Sequence, residues 1–163
     1  MSKRIDVAAV ATLMGSLYPP PFDEPCKQRE RRRLGDAAGL TQFGVNLLRL
    51  APGSWSSQRH WHSHEDEFVY VLEGCVTLVS DQGEEELRAG DAAGFKSGEA
   101  NGHSLHNRSA AHCVLLEVGS RNETQDVTTY PDIDLRAPAG GIPAIFTHRD
   151  GVPYANVVRR SSV

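Results

Sequence analysis

No apolar run in the 163 residues approaches the roughly 20 needed to cross a bilayer. A convincing secretory leader is also missing. In MSKRIDVAAVATLMGSLYPPP, Asp6 interrupts the start, and Ala8 to Met14 is short and only mildly apolar. A cytoplasmic protein with no membrane partner is the expectation. Cysteine is scarce: three residues, Cys26, Cys75 and Cys113, an odd number without regular spacing, which argues against a disulfide framework. Cys75 and Cys113 sit in apolar, strand-like runs and read as buried free thiols. There is no basic excess. The net charge of −4 argues against a general nucleic-acid binder. What remains has the length and the ordinary apolar and charged fractions of one globular domain with a real core.

Within that chain the stretch from Gly53 to Gly74, GSWSSQRHWHSHEDEFVYVLEG, carries the most chemistry. Residues two apart on a strand share a face, so His60 and His62 converge from one strand. Glu67 has the opposite parity. A turn through Ser63, His64, Glu65 and Asp66 lets it open the next strand facing back toward the two imidazoles. Two imidazoles and a carboxylate on neighbouring strands make an open transition-metal site.

The surrounding pattern is strand-like. Residues 5–17 have apolar positions suited to a short amphipathic helix or an arm, and YPPPFDEP is expected to be extended. KQRERRR at 27–33 reads as a solvated turn or helix end, with a phosphate-binding patch as the alternative. From about Thr41 the period becomes two: TQFGVNLLRL, a strand over about 54–62, FVYVLE, VTLVS and EEELR around Asp81-Gln82-Gly83, the glycine-rich GFKSGEANGHSLHN, and AHCVLLEV. Short strands with frequent turns predict a closed all-β sandwich or barrel. Three regions follow: an N-terminal arm (1–40), a barrel (41–119) and a C-terminal extension (120–163) packing on the barrel or on a partner subunit.

These residues resemble the cupin superfamily. Gly53, His60, His62, Glu67 and Gly74 match its first motif, with four residues between His62 and Glu67 and six between Glu67 and Gly74. Six rather than five residues separate Gly53 from His60. Gly90, Gly98, His103 and Asn107 resemble its second motif. Lys96 stands where proline is usual, and four residues rather than two separate Gly98 from His103. The resemblance covers roughly 41–119 and implies a double-stranded β-helix, or jelly roll. It implies His103 as a further ligand beside His60, His62 and Glu67, with His106 as the fallback although its parity opposes that of His103. The implied cofactor is one divalent transition metal per subunit: iron, manganese, nickel, cobalt or zinc. Homodimerisation is implied too, and the apolar outward face of Phe68, Tyr70 and Leu72 agrees with it.

The chain is also similar to small single-domain bacterial cupins labelled as sugar-phosphate isomerases. That implies a metal-dependent isomerase or epimerase acting on a small oxygenated substrate. An iron-dependent dioxygenase and a non-catalytic metal or small-molecule binder are the alternatives. Lys96, Arg59 and Tyr70 are candidate substrate contacts, with Arg49 and Glu117 as further polar residues of interest. No catalytic acid or base can be named from the sequence.

Overall fold

The computed structural model describes residues 4–140 and 145–155; the parts of the arm and the C-terminal extension at 1–3, 141–144 and 156–163 lie outside the described residues. Its strands are β1 (Thr12–Met14), β2 (Arg29–Arg33), β3 (Phe43–Leu50), β4 (Trp61–His62), β5 (Glu67–Glu73), β6 (Cys75–Ser80), β7 (Gly83–Arg88), β8 (Ala92–Phe95), β9 (His103–His106), β10 (Cys113–Ser120), β11 (Thr128–Tyr130) and β12 (Leu135–Ala137). A short helix, α1 (Leu34–Ala37), follows β2. One sheet runs β1-β2-β3-β10-β5-β8, a second β7-β6-β9 and a third β12-β11-β4. The strand pairings among the described residues are antiparallel, which gives the jelly-roll barrel.

The register of the large sheet decides what the barrel encloses. Four rows of facing residues line its inner side: Arg29–Leu50–Cys113, Arg31–Leu48–Leu115–Val71, Arg33–Asn46–Glu117–Val69–Ala93, and Gly44–Gly119–Glu67–Phe95. Leu48, Leu50, Val69, Val71, Cys113 and Leu115 join Val76, Leu87 and Leu105 of the second sheet in one core cluster. The rows then turn polar. At the Glu67 row two of the four positions are glycine, so the wall there is hollow rather than packed. A second apolar cluster, Tyr130, Leu135 and Phe146 with Tyr18, Phe22 and Tyr154, ties the N-terminal arm to the C-terminal extension.

Several local expectations are corrected. The apolar positions in 5–17 form no amphipathic helix: a single 3₁₀ turn, Val7–Ala9, capped by Asp6, precedes β1. YPPPFDEP is not extended throughout, because Phe22 N–H donates to Pro19 O (2.9 Å) and a 3₁₀ turn spans Glu24–Cys26. The φ that proline fixes suits turns as well as extended chain. Only Lys27 and Gln28 of KQRERRR form the expected turn, at the end of the 3₁₀ helix Glu24–Cys26. Arg29–Arg33 is a full strand of the main sheet, so that sheet extends back beyond residue 41. Its charge hid its period: Arg29, Arg31 and Arg33 point inward while Glu30 and Arg32 point out. The strand expected over 54–62 is regular only at Trp61–His62, with single bridges at Trp55 and His60. In TQFGVNLLRL the buried face is Leu48 and Leu50; Phe43 on the alternate face is 41% exposed.

Other features follow the expectation. Asp81-Gln82 is a two-residue hairpin turn, since Ser80 pairs with Gly83. Cys26 and Cys113 are fully buried free thiols, and Cys75 is a partly buried one. No described helix is long and apolar enough to cross a membrane.

Gly74 closes β5 with φ +76°, and a Cβ there would lie 2.9 Å from the backbone oxygen of His112. Both left-handed strain and a clash with rigid backbone oppose any side chain. Gly74→Ala should therefore lose about 2 kcal/mol of stability. Thermal unfolding should show this as a drop of roughly 4–8 °C.

Candidate metal centre

Three strands deliver the histidines and the acid. His60 bridges His103 through paired backbone bonds (3.0 and 2.8 Å), and His62 ends β4. Glu67 opens β5 after a bend tied down at nearly every residue. Ser63 N–H donates to Val127 O (3.1 Å), His64 N–H to Asp126 Oδ1 (2.8 Å) and Asp66 N–H to Ser120 Oγ (2.8 Å). The bend reverses the parity, and Glu67 faces back into the barrel.

Glu67 Oε2 then lies 2.8 Å from His103 Nε2, 3.4 Å from His60 Nε2 and 3.5 Å from His62 Nε2. Donor atoms of His60, His62 and Glu67 all fall within 4.8 Å of one another. Ligand bonds of about 2.0–2.2 Å to one ion place neighbouring donors about 3–3.5 Å apart, so the set fits a divalent metal. The tautomers fit as well. His60 Nδ1–H donates to Gln58 O (2.9 Å) and His62 Nδ1–H to Asp126 Oδ2 (2.7 Å), which leaves both Nε2 lone pairs turned to Glu67. His103 stacks flat on Phe95, with centroids 3.5 Å apart, and its Nδ1 is buried without a partner.

The electrostatics are those of a cation site. Burial alone would raise the Glu67 carboxyl; the imidazoles of His60, His103 and His62 overcome it and hold the group well below the usual carboxylate range. Burial lowers His62, yet its bond to Asp126 and the nearby Glu67 and Glu65 raise it overall. His103 is lowered, chiefly by burial. Glu65 is raised by burial, although its Oε1 accepts Asn122 N–H at 2.6 Å.

The cluster lies between two openings. A small cleft of about 30 Å³ is lined by Trp61, Glu65, Lys96, Glu99 and Asn101 together with His62, Glu67 and His103. On the other side a cavity of about 1450 Å³ runs from His62, Glu67 and His103 past Arg31 and Glu117 to the N-terminal arm. Lys96 is exposed at the cleft.

Two candidate substrate contacts are corrected. Tyr70 alternates with buried Val69 and Val71 and is 38% exposed on the outer face, away from the cluster. The Arg59 guanidinium is taken up by Asp132 (Nε to Oδ2 2.7 Å) and Asp81, and it lines neither opening. Of the other polar residues, Arg49 pairs with Glu30 (3.1 Å) on the outer face, whereas Glu117 lies inside, bonded to Arg31. His106 is turned away from the cluster: it stacks on Trp55, centroids 3.9 Å apart. His64 Nδ1 meets Ser63 Oγ (2.9 Å), and His148 pairs with Asp134 (2.7 Å) on the surface.

Sequence reasoning passed over Asp126 and Tyr130. Asp126 is buried and holds His62, and Tyr130 packs against His60 with ring centroids 5.8 Å apart. Both come from the extension, more than sixty residues further along the chain, and no local pattern marks them.

The Cupin domain family matches residues 46–119, the span that carries every histidine of the cluster. A cupin-superfamily sugar phosphate isomerase from Silicibacter pomeroyi is 43% identical, covering 94% of this chain and 98% of its own, with a TM-score of 0.86. The chain belongs to the cupin superfamily. A second cupin-like structure, a provisionally assigned sugar phosphate isomerase from Acidithiobacillus ferrooxidans, is 32% identical over 80% of this chain and 81% of its own, TM-score 0.69. The polyketide cyclase RemF from Streptomyces resistomycificus is 27% identical over 74% of this cupin and 80% of its own chain, TM-score 0.59. No curated protein matches the sequence.

The buried His106 has an acid-stability consequence. Burial, with Arg108 adding to it, pushes the imidazole down to about 4, and its Nε2 has no partner. The unfolded chain titrates near 6.5, so the unfolded state binds the proton first. The stabilising effect of neutral His106 is complete above about pH 6.5 and is lost as pH falls toward 4. His106→Phe keeps the stack on Trp55 and cannot take a proton. Urea unfolding from pH 7 to 4 should show a shallower loss of stability in that variant than in wild type.

Proposed function

We propose that this cupin is a metal-dependent enzyme acting on a small oxygenated substrate, with isomerisation or epimerisation of a sugar or sugar phosphate as the leading reaction. The observation that carries this reading is the convergence of His60, His62, His103 and Glu67 beside a cleft and a large cavity. The 43%-identical relative described as a sugar phosphate isomerase supports the reaction class. The ligands of the reading are those four side chains. A divalent ion bound by them would polarise neighbouring hydroxyl and carbonyl oxygens of a substrate.

The protein's own groups do the rest. Gln58 O and Asp126 fix the tautomers of His60 and His62, so neither ring must reorganise to present Nε2. Phe95 covers one face of His103 and keeps water from it. Lys96, Glu65 and Glu99 line the small cleft beside His62, Glu67 and His103. Two copies associate, in this reading, through the outer face of the large sheet. Phe68 and Leu72 are there 44% and 43% exposed beside Tyr70.

Elemental analysis of protein purified without added metal tests the centre: about one zinc, manganese, nickel, cobalt or iron per chain is expected. Glu67→Ala should reduce that content to background, and Asp126→Asn should weaken metal affinity 10- to 100-fold. Unchanged metal in Glu67→Ala would remove the ligand assignment. Aldose–ketose interconversion that follows metal content is the activity expected. Iron with oxygen-dependent substrate loss would replace isomerisation by oxygenation, and bound metal without any turnover would leave a binding protein. Light scattering should give twice the chain mass, falling to the chain mass in Phe68→Glu.

A further inference from the structure

Strand β2 presents arginine to the cavity at every inward position: Arg29, Arg31 and Arg33 all line it. Charged side chains are rarely turned into a barrel, and those that are need a counter-charge. Here the counter-charges fall short. Arg29 donates only to backbone carbonyls, those of Gly15 (2.9 and 3.2 Å) and Ser56. Arg31 has one carboxylate, Glu117, at 3.0 Å from its Nη2. Arg33 shares Asp36 (3.7 Å) with Arg121. Four guanidinium groups on this wall are thus met by two carboxylates. The exposed Asp6 and Glu123 also line the cavity, and Glu65, Glu67 and Asp126 belong to the histidine side of it.

Arg31 is also incompletely bonded. Its Nε is buried with no hydrogen-bond partner, and leaving such a donor unsatisfied costs on the order of 1–3 kcal/mol. The same cavity reaches Glu67, so a molecule touching Arg31 at one end can reach the histidine cluster at the other. Gly44 and Gly119 share Glu67's row and line the same cavity.

We propose that the cavity face of β2, with Arg31 as its principal donor, is the receptor for an anionic group on the substrate, a phosphate or a carboxylate. This rests on the metal-enzyme reading for the position of the substrate's other end. Arginine suits the role because its planar fork matches phosphate and carboxylate oxygens. Arg31 is a binding residue: it fixes where the reacting carbons lie relative to the metal ligands. A neutral sugar would offer hydroxyl acceptors but no counter-charge.

Titration calorimetry of the full chain with inorganic phosphate and, separately, with acetate tests the proposal. Wild type should bind one anion. Arg31→Gln should weaken that binding at least tenfold with metal content unchanged. Arg32→Gln, on the outward face where Arg32 bonds Thr12, should bind as wild type does. Glu117→Gln should bind the anion more tightly, which a merely structural pair would not produce. If Arg31→Gln fails to fold, Arg31→Gln/Glu117→Gln removes both charges together and should fold without binding. Tighter phosphate identifies a phosphorylated substrate and tighter acetate a carboxylic acid. Repeating the titration in Glu67→Ala separates the two readings, because anion binding should survive loss of the metal. No binding of either anion to wild type, or equal loss in Arg31→Gln and Arg32→Gln, would overturn it.

Discussion

Glu67 is a carboxylate that three imidazole nitrogens approach to within 3.5 Å, part-way inside a barrel. Such a group is costly to bury alone, and here the three imidazoles outweigh that cost and keep it ionised. The arrangement is stable because everything around it is fixed. The bend after His62 is held by backbone bonds to the C-terminal extension, and the rings of His60 and His62 by their second nitrogens. A divalent cation would complete this set of donors. The local fold, with a two-residue β4 and a tethered loop in place of a long regular strand, serves the convergence of these four side chains.

The inner face of the large sheet divides the labour. Toward one end, Leu48, Leu50, Cys113, Leu115 and Val71 form the packed core. Toward the other, asparagine, glutamate, arginine and glycine occupy the same inward register and leave a cavity. A jelly roll filled with leucine throughout would be more tightly packed, but it would enclose nothing. Stability is gathered in the apolar rows and in the second cluster joining arm to tail. The arginines of β2 edge both kinds of row, and Arg31, in register with Leu48, carries the unsatisfied Nε donor.

Much of this was legible in the chain. Alternation at His60 and His62, and the parity break before Glu67, follow from strand geometry alone. So does the hairpin at Asp81-Gln82. The four-residue spacing after Gly98 obscured His103, yet Asn101-Gly102 takes up the extra length: Asn101 Oδ1 accepts Asp81 N–H at 3.0 Å, and His103 still reaches Glu67. What could not be read was long-range. Nothing near Asp126 announces His62, and Tyr130 meets His60 only because β11 pairs with β4. RERRR misled for a different reason. Hydrophobic periodicity is the usual sign of a half-buried strand, and here the period is carried by charge, with arginine taking the positions where valine would be expected.

The division between barrel and flanks bears on specificity. The family match, 46–119, holds His60, His62, Glu67 and His103, but it contains neither Arg31 nor Asp126 nor Tyr130. Those come from the strand before the matched span and from the extension after it, and the two flanks pack on each other through Tyr18, Tyr130 and Phe146. A bare cupin barrel can therefore supply metal ligands to many chemistries, while the cavity beside them is finished by segments outside it. The relative from Silicibacter pomeroyi is similar along 94% of this chain, flanks included, whereas the RemF match covers 74% at lower identity. The likeness to the first therefore reaches the segments that build the cavity wall, and the likeness to the second is confined more nearly to the barrel.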